Sequence, residues 1–208
     1  MNNGIIFSMG VIITGVAVGM QIVASQEDAS LTPTTLYIVL DGSSESELNI
    51  AKNALSKIQH KQLSYQRLIV DVMEGDSLSN IYSDGMGKNS IKEIYHQLEI
   101  KSSTDKAFVQ AIHRTELLRV EEIPHDHKLH VLILSAGIED QSLLPAIQEE
   151  ALSLSKYSNF NIYVVGLAAK DSLMLSSAFS SIPKHVEFSG QLPSELEIVI
   201  DQLGEGHK

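Results

Sequence analysis

Residues 36–40 form an uninterrupted apolar run, Leu-Tyr-Ile-Val-Leu, that ends on Asp41, Gly42 and a cluster of serines. Such a run is typical of a strand that is buried on both faces of a parallel sheet. The next segment has apolar residues at helical spacing, and Ser44 and Glu47 have the spacing of a capping box. The sequence therefore predicts a strand, a tight polar loop and a helix that begins inside the loop. In an open α/β sheet, ligands bind at loops of this kind.

Apolar strands and amphipathic helices continue to alternate along the rest of the chain. This alternation predicts a doubly wound α/β domain with a mostly parallel six-stranded sheet and helices on both faces. The strands with the most continuous apolar character, which we expect at the centre of the sheet, are 36–40, 131–134 and 162–165. The other predicted strands are 67–73, 80–83 and 186–188.

An apolar segment, residues 5–24, precedes the domain and carries no charged side chain. A helix of this length, rising 1.5 Å per residue, matches a hydrocarbon core of about 30 Å, so we predict a transmembrane helix. A cleaved signal peptide is the alternative. Signal peptides normally begin with a basic region, which residues 1–4 lack, although Val23 and Ser25 are small enough for a cleavage site. The acidic residues that follow favour a single-pass membrane protein with an extracytoplasmic domain.

The predicted span contains Gly15 and Gly19, which are four residues apart. Small residues at this spacing let two membrane helices approach closely, which predicts a homo-oligomer formed through the span. Residues 25–35 are polar and contain a proline, so they predict a linker. The expected organisation is a short tail at 1–4, the span at 5–24, the linker at 25–35, the folded domain at 36–203 and a tail at 204–208.

Composition excludes several classes of function. The chain of 208 residues has a net charge of -11, which argues against a nucleic-acid-binding surface because phosphate groups require clustered Lys and Arg. It contains no cysteine, so disulfides, thiolate catalysis and Cys-based zinc sites are excluded. The remaining classes are a globular interaction domain and an enzyme that uses other side chains.

The order of the elements and the polar residues at the strand ends resemble the von Willebrand factor type A (vWA) domain across residues 36–203. That family has a doubly wound sheet with a metal-ion-dependent adhesion site. The site combines an Asp-x-Ser-x-Ser loop, a Thr from a later loop and an Asp from a Thr-Asp-Gly-like turn. Asp41 and Ser43 match the first two loop positions, and Thr104 matches the Thr. The resemblance implies that a protein is the partner and that these three residues would be ligands of any bound Mg²⁺.

Two departures from the family pattern weaken the predicted metal site. Glu45 stands where the family has its second Ser, and Ala136 replaces the Asp of the turn. Mg²⁺ requires near-octahedral oxygen ligation, and Ala136 supplies no oxygen from its side chain. We therefore expect no cofactor, or at most weakly bound Mg²⁺, and a surface that binds a protein partner through hydrogen bonds and shape. The predicted partner-binding residues are Asp41, Ser43, Glu45, Thr104 and Ser135.

Other readings compete with an interaction module, which we expect to be a subunit or adaptor of a membrane-associated assembly. Residues 75–79, Gly-Asp-Ser-Leu-Ser, match the nucleophile block of GDSL hydrolases, with Ser77 as the nucleophile. The carboxyl-terminal Asp-x-x-His that supplies the base in that family is missing, and a serine without a base is a poor nucleophile. A purely structural subunit with a vestigial site is a further alternative.

A cluster of histidines offers a second candidate metal site. Its members are His125, Asp126, His127 and His130. Imidazole pairs bind zinc or nickel, but the segment contains a proline and precedes a strand, which is typical of a solvated loop.

Overall fold

The computed structural model describes residues 33–61, 63, 65–87 and 89–205. Their six strands form one sheet in the order β3-β2-β1-β4-β5-β6. The strands are β1 (Thr34–Leu40), β2 (Arg67–Glu74), β3 (Ser77–Asp84), β4 (Lys128–Leu134), β5 (Phe160–Val165) and β6 (Val186–Ser189). Only β3 runs antiparallel to its neighbour, and the other pairs are parallel. The predicted six-stranded, mostly parallel sheet is confirmed, with β1, β4 and β5 among its inner strands.

The described residues also form six α-helices, five in the connections between strands and the last after β6. They are α1 (Glu45–His60), α2 (Ser90–Gln97), α3 (Asp105–Leu117), α4 (Leu144–Leu154), α5 (Ala169–Ala178) and α6 (Pro193–Glu205). A short π-helical turn, Leu118–Glu122, continues α3, and a 3-10 turn, Gln141–Leu143, precedes α4. The long connections after β1, β4 and β5 allow the parallel strands to pair, because a parallel pair needs a crossover.

Each face of the sheet carries its own hydrophobic core, which explains why the central strands are apolar without interruption. Tyr37 and Val39 point to the face covered by α3, α4 and α5. Leu36, Ile38 and Leu40 point to the face covered by α1, α2 and α6. All five side chains are at most 1% exposed. Both faces are therefore dry, as a doubly wound sheet requires.

Two boundaries differ from those expected. β1 begins at Thr34, so Thr34 and Thr35 extend the strand into the predicted linker, and both are buried. Helix α6 continues through Gly204 to Glu205, into the predicted tail. Strand and helix ends depend on hydrogen bonds to other segments, here from Gln66 N to Thr34 O at 3.0 Å, which residue type alone does not specify.

The predicted transmembrane helix at 5–24, with Gly15 and Gly19, lies outside the described residues, as does most of the predicted linker. Among the helices of the described part, none combines the length and the apolar character needed to cross a bilayer.

Candidate functional site

A cleft opens where β1 and β4 end, at the point where the strand order changes direction. Asp41 N donates to Leu134 O at 2.8 Å, and Ser135 N donates to Val165 O at 3.0 Å. These two bonds continue the sheet beyond its strands and set Asp41 beside Ser135. The cleft has a volume of about 230 Å³. Its position is where doubly wound sheets bind their ligands.

Asp41 supplies a buried carboxylate to the cleft, with only 8% of the residue exposed. Its Oδ1 accepts hydrogen bonds from Ser43 N at 3.1 Å and from Ser103 Oγ at 3.0 Å. Its Oδ2 accepts a longer bond from Ser135 Oγ at 3.4 Å. A buried carboxylate needs such donors, and here they come from three separate loops.

The loop after β1 places Glu47, and not Glu45, at the cleft. Ser44 caps α1 by accepting from Glu47 N at 3.2 Å, which confirms that the helix begins inside the loop, as the spacing of Ser44 and Glu47 predicted. The hydroxyls of Ser43 and Ser44 donate to Glu47 Oε2 at 2.5 Å and 2.9 Å. Glu45, the first residue of α1, is exposed and is not among the residues that line the cleft. Two helical residues separated by two positions point about 200° apart, so Glu45 and Glu47 cannot share this face.

The loop before α3 presents Ser103 to Asp41, whereas the hydroxyl of Thr104 is bonded elsewhere. Thr104 Oγ1 donates to Asp76 Oδ1 at 2.7 Å, and Lys106 Nζ donates to Asp76 Oδ2 at 3.0 Å. The hydrogen bonds from Thr104 and Lys106 lower the pKa of Asp76 below its usual value. Thr104 lines the cleft, but its hydroxyl serves to attach this loop to the turn between β2 and β3.

Helix α5 contributes an acid beside the turn where the family pattern has its Asp. Asp171 is 9% exposed and lines the cleft. Gly137 has φ +112°, and a Cβ added there would lie 3.1 Å from Asp171 Cβ, so the two residues are packed together. A carboxylate from α5 therefore stands close to Ala136–Gly137, although the turn itself carries none.

The cleft is strongly acidic. Asp105 ties its wall together, because its Oδ2 accepts from the backbone N of both Glu139 and Asp140 at 2.6 Å. Among the described residues that line it, Lys170 is the one Lys or Arg. The carboxyl groups that line it are those of Asp41, Glu47, Asp105, Glu139 and Asp171.

The structure brings together four of the five predicted partner-binding residues, and several further residues line the same cleft. Asp41, Ser43, Thr104 and Ser135 line the cleft. The additional lining residues include Glu47, Ser103, Lys170 and Asp171. The spacing of Ser44 and Glu47 could have pointed to Glu47 as a residue of the cleft, and the position of Asp171 in the first turn of a helix could have pointed to Asp171. No pattern in the sequence indicated that Ser103, and not Thr104, would bond to Asp41.

The side-chain atoms of the cleft that could act as metal ligands do not match a complete metal-ion-dependent adhesion site. They are all oxygens, the ligand type that Mg²⁺ prefers. However, the hydroxyl of Thr104 bonds to Asp76, and Glu45 lies outside the lining. The side chain of Ala136 has no atom that can bind a metal ion. The hydroxyls of Ser103 and Ser135 are directed at Asp41 itself.

We accordingly predict that the protein binds Mg²⁺ weakly or not at all, and that Ala136→Asp tightens binding at least tenfold. Ala136 is exposed and lines the cleft, so the new carboxylate would add an oxygen ligand near Asp41. Titration calorimetry of both proteins measures this, with Asp41→Ala as the variant that should abolish any binding. Micromolar affinity of the unmodified protein for Mg²⁺ would contradict the prediction.

The two other constellations are placed as follows in the described part of the chain. Ser77 Oγ donates to Glu74 O at 3.1 Å within the β2–β3 turn. His125 stacks on Tyr157, while His130 is 2% exposed and stacks on Tyr163. Among the described residues, the His125–His130 segment forms no group with metal-ligand spacing.

Comparison with solved structures identifies the fold. The chain is similar to a von Willebrand factor type A protein from Catenulispora acidiphila, with 16% identity and a TM-score of 0.61 over 85% of this chain, and it spans 43% of that protein. It is similar to the vWF domain of the type V pili tip protein Mfa5 from Porphyromonas gingivalis, with 11% identity and a TM-score of 0.59 over 86% of this chain and 98% of that one.

A third similar structure is an aerotolerance-related membrane protein from Bacteroides fragilis, with 10% identity and a TM-score of 0.56 over 84% of this chain and 98% of that one. No protein-family model and no curated protein sequence matches the chain. The chain thus has a vWA-like α/β fold. At these identities the likeness establishes the fold, and function has to be argued from the cleft.

Proposed function

We propose that this protein is a membrane-anchored protein-interaction module that binds its partner at the cleft, as a subunit or adaptor of a membrane-associated assembly. The observation that carries the proposal is the carboxylate of Asp41, which is buried at the switch point of the sheet and bonded by three loops. Because rigid elements place this group, the cleft is preorganised for a ligand. No histidine is among the described residues that line the cleft, so its serine hydroxyls bond to carboxylates and not to an imidazole base.

The charges of the cleft favour a partner that presents a Lys or Arg side chain. Five carboxyl groups line it against the one ammonium group of Lys170. The net charge of -11 would also attract a basic partner at long range and speed its association. A guanidinium or ammonium group could bond to Glu47 and Asp171 directly, without the metal ion that vWA domains use to bind an acidic partner.

The similar structures support an interaction role without defining the partner. One is the vWF domain of a pili tip protein, and another belongs to a membrane protein. For the present chain, the proposed anchor is the apolar segment 5–24, with Gly15 and Gly19 as the contact between two spans. Two tethered domains would then present two clefts to one assembly, which raises the apparent affinity for a repeated partner.

We expect Asp41→Asn and Glu47→Gln to weaken partner capture at least tenfold. Each removes one negative charge from the cleft with little change in side-chain volume. Partners are first cross-linked to the protein, captured from detergent-solubilised membranes and identified. The affinity of each variant for the identified partner is then measured. Glu45→Gln is the matched control, because it removes the same charge from an exposed residue outside the lining.

Three results would each contradict part of the proposal. Equal capture by all three variants would favour a structural subunit with a vestigial cleft. Hydrolysis of a generic ester that is lost in Ser77→Ala would favour an enzyme. Recovery of the chain in the soluble fraction of lysed cells would contradict the anchor and leave the test of the cleft intact.

A further inference from the structure

Helices α3 and α4 bring an imidazole and two carboxylates together away from the cleft. His113 and Glu116 lie three residues apart on α3, so they share a face of that helix. Glu150 lies on the neighbouring helix α4. All three residues are partly buried, and none of them lines the cleft. We refer to these three residues as the α3–α4 cluster.

The spacing of the donor atoms fits a metal ion. His113 Nδ1 lies 3.1 Å from Glu150 Oε2. One ligand atom from each of the three residues lies within 4.8 Å of the other two. In a tetrahedral zinc site with bonds of about 2.0–2.1 Å, the ligand atoms are about 3.4 Å apart. Two of the ligand atoms are therefore about as close as zinc ligands are, and the third lies within 4.8 Å of both.

The cluster holds two carboxylates, and one of them, Glu150, bonds to the imidazole of His113 at 3.1 Å. Two carboxylates face each other here, and within the described part of the chain no Lys or Arg forms an ion pair with Glu116 or Glu150. The neighbouring Arg114 instead pairs with Glu122 at 2.6 Å. A divalent cation between the carboxylates would replace their repulsion by attraction, and partial burial limits the screening of that attraction.

We propose that the α3–α4 cluster binds Zn²⁺ through His113, Glu116 and Glu150, with water as the fourth ligand. The imidazole nitrogen favours zinc and similar transition metals over Mg²⁺ and Ca²⁺, which take oxygen ligands. The bound ion would clamp α3 to α4. Helix α3 begins at the cleft with Asp105, and His113 lies eight residues further on, about 12 Å along the helix axis. The clamp would therefore hold one wall of the cleft in place.

The test is titration of the full chain with Zn²⁺ by calorimetry. The protein is purified in detergent with a tag that contains no histidine, and it is stripped of metal with a chelator. We expect one Zn²⁺ per chain and at least tenfold weaker binding in both Glu150→Gln and His113→Gln. Glu149→Gln is the matched control, since Glu149 is an exposed neighbour on the same helix. Mg²⁺ at the same concentration should not compete.

Thermal unfolding provides a second readout that does not depend on an intact cleft. Zn²⁺ should raise Tm in the unmodified protein and in Asp41→Asn, and it should leave Tm unchanged in Glu150→Gln, because a ligand stabilises only the state that binds it. The double variant His125→Gln/His127→Gln should behave like the unmodified protein. Absence of Zn²⁺ binding, or binding that Glu150→Gln does not weaken, would overturn the proposal, and binding lost in the double variant would assign the ion to the loop instead.

Discussion

Replacing Gly166 with alanine is expected to lower the free energy of unfolding by about 3 kcal/mol. Gly166 follows β5 with φ +109°, a backbone conformation that residues with a Cβ rarely adopt. A Cβ added there would lie 2.8 Å from Ser135 O, which is closer than non-bonded contact allows. The displaced group is backbone of the residue that donates to Asp41, so the substitution should also disturb the cleft. Chemical denaturation of the variant measures the loss of stability.

Two matched variants separate backbone strain from the steric clash. Gly75→Ala also places alanine at positive φ, +57°, but nothing lies within 4 Å of the added Cβ, so we expect a loss of about 1 kcal/mol. Gly85→Ala has neither feature, since the nearest atom to its added Cβ is Gln66 O at an ordinary 3.6 Å. Its free energy of unfolding should stay within about 0.5 kcal/mol of that of the unmodified protein. If all three variants lost the same stability, the close approach of Gly166 to Ser135 would be refuted.

Replacing Arg119 with methionine is expected to lower the free energy of unfolding by about 3 kcal/mol. Arg119 is 1% exposed in the π-helical turn after α3. Its guanidinium donates to His127 O at 2.9 Å, His125 O at 2.7 Å and Pro124 O at 3.3 Å. Methionine fills much of the same space and has similar helix propensity, so the main loss is that of these charge-assisted bonds. Chemical denaturation measures it.

Arg114→Met is the control for this prediction. Arg114 forms a partly exposed ion pair with Glu122, and such pairs contribute at most about 1 kcal/mol. Arg119→Met should also increase amide hydrogen exchange in residues 125–127, because the carbonyl groups of that loop lose their common donor. Equal stability of the two variants would mean that the buried guanidinium does not hold the loop.

Among the described residues, the histidine segment forms no group with metal-ligand spacing, which agrees with the solvated loop that its proline favoured. The carbonyl groups of His125 and His127 are fixed by Arg119, and the ring of His130 is buried against Tyr163. Proximity in sequence was therefore a poor guide to proximity of the side chains. The cluster with metal-ligand spacing joins His113 to Glu150, which are 37 residues apart.

The strands, their central positions and the capping box at Ser44 followed from the sequence alone. They depend on local patterns, because a strand buried on both faces must be apolar throughout and a capping box needs two residues at a fixed spacing. The position of the cleft after β1 also followed, since doubly wound sheets bind ligands at the switch point. The resemblance to vWA domains added the vWA-like fold that the solved structures then supported.

The tertiary structure decided which residues line the cleft. Ser103 bonds to Asp41 because Thr104 is held by Asp76, a residue of the β2–β3 turn that no local pattern connects to this loop. Asp171 reaches the turn after β4 because its helix packs against Gly137. Such contacts join segments that are 28 to 62 residues apart in sequence, as for Thr104 with Asp76 and Ser103 with Asp41. The sequence alone therefore determined where the cleft would form, and only the packing of distant loops determined which side chains line it.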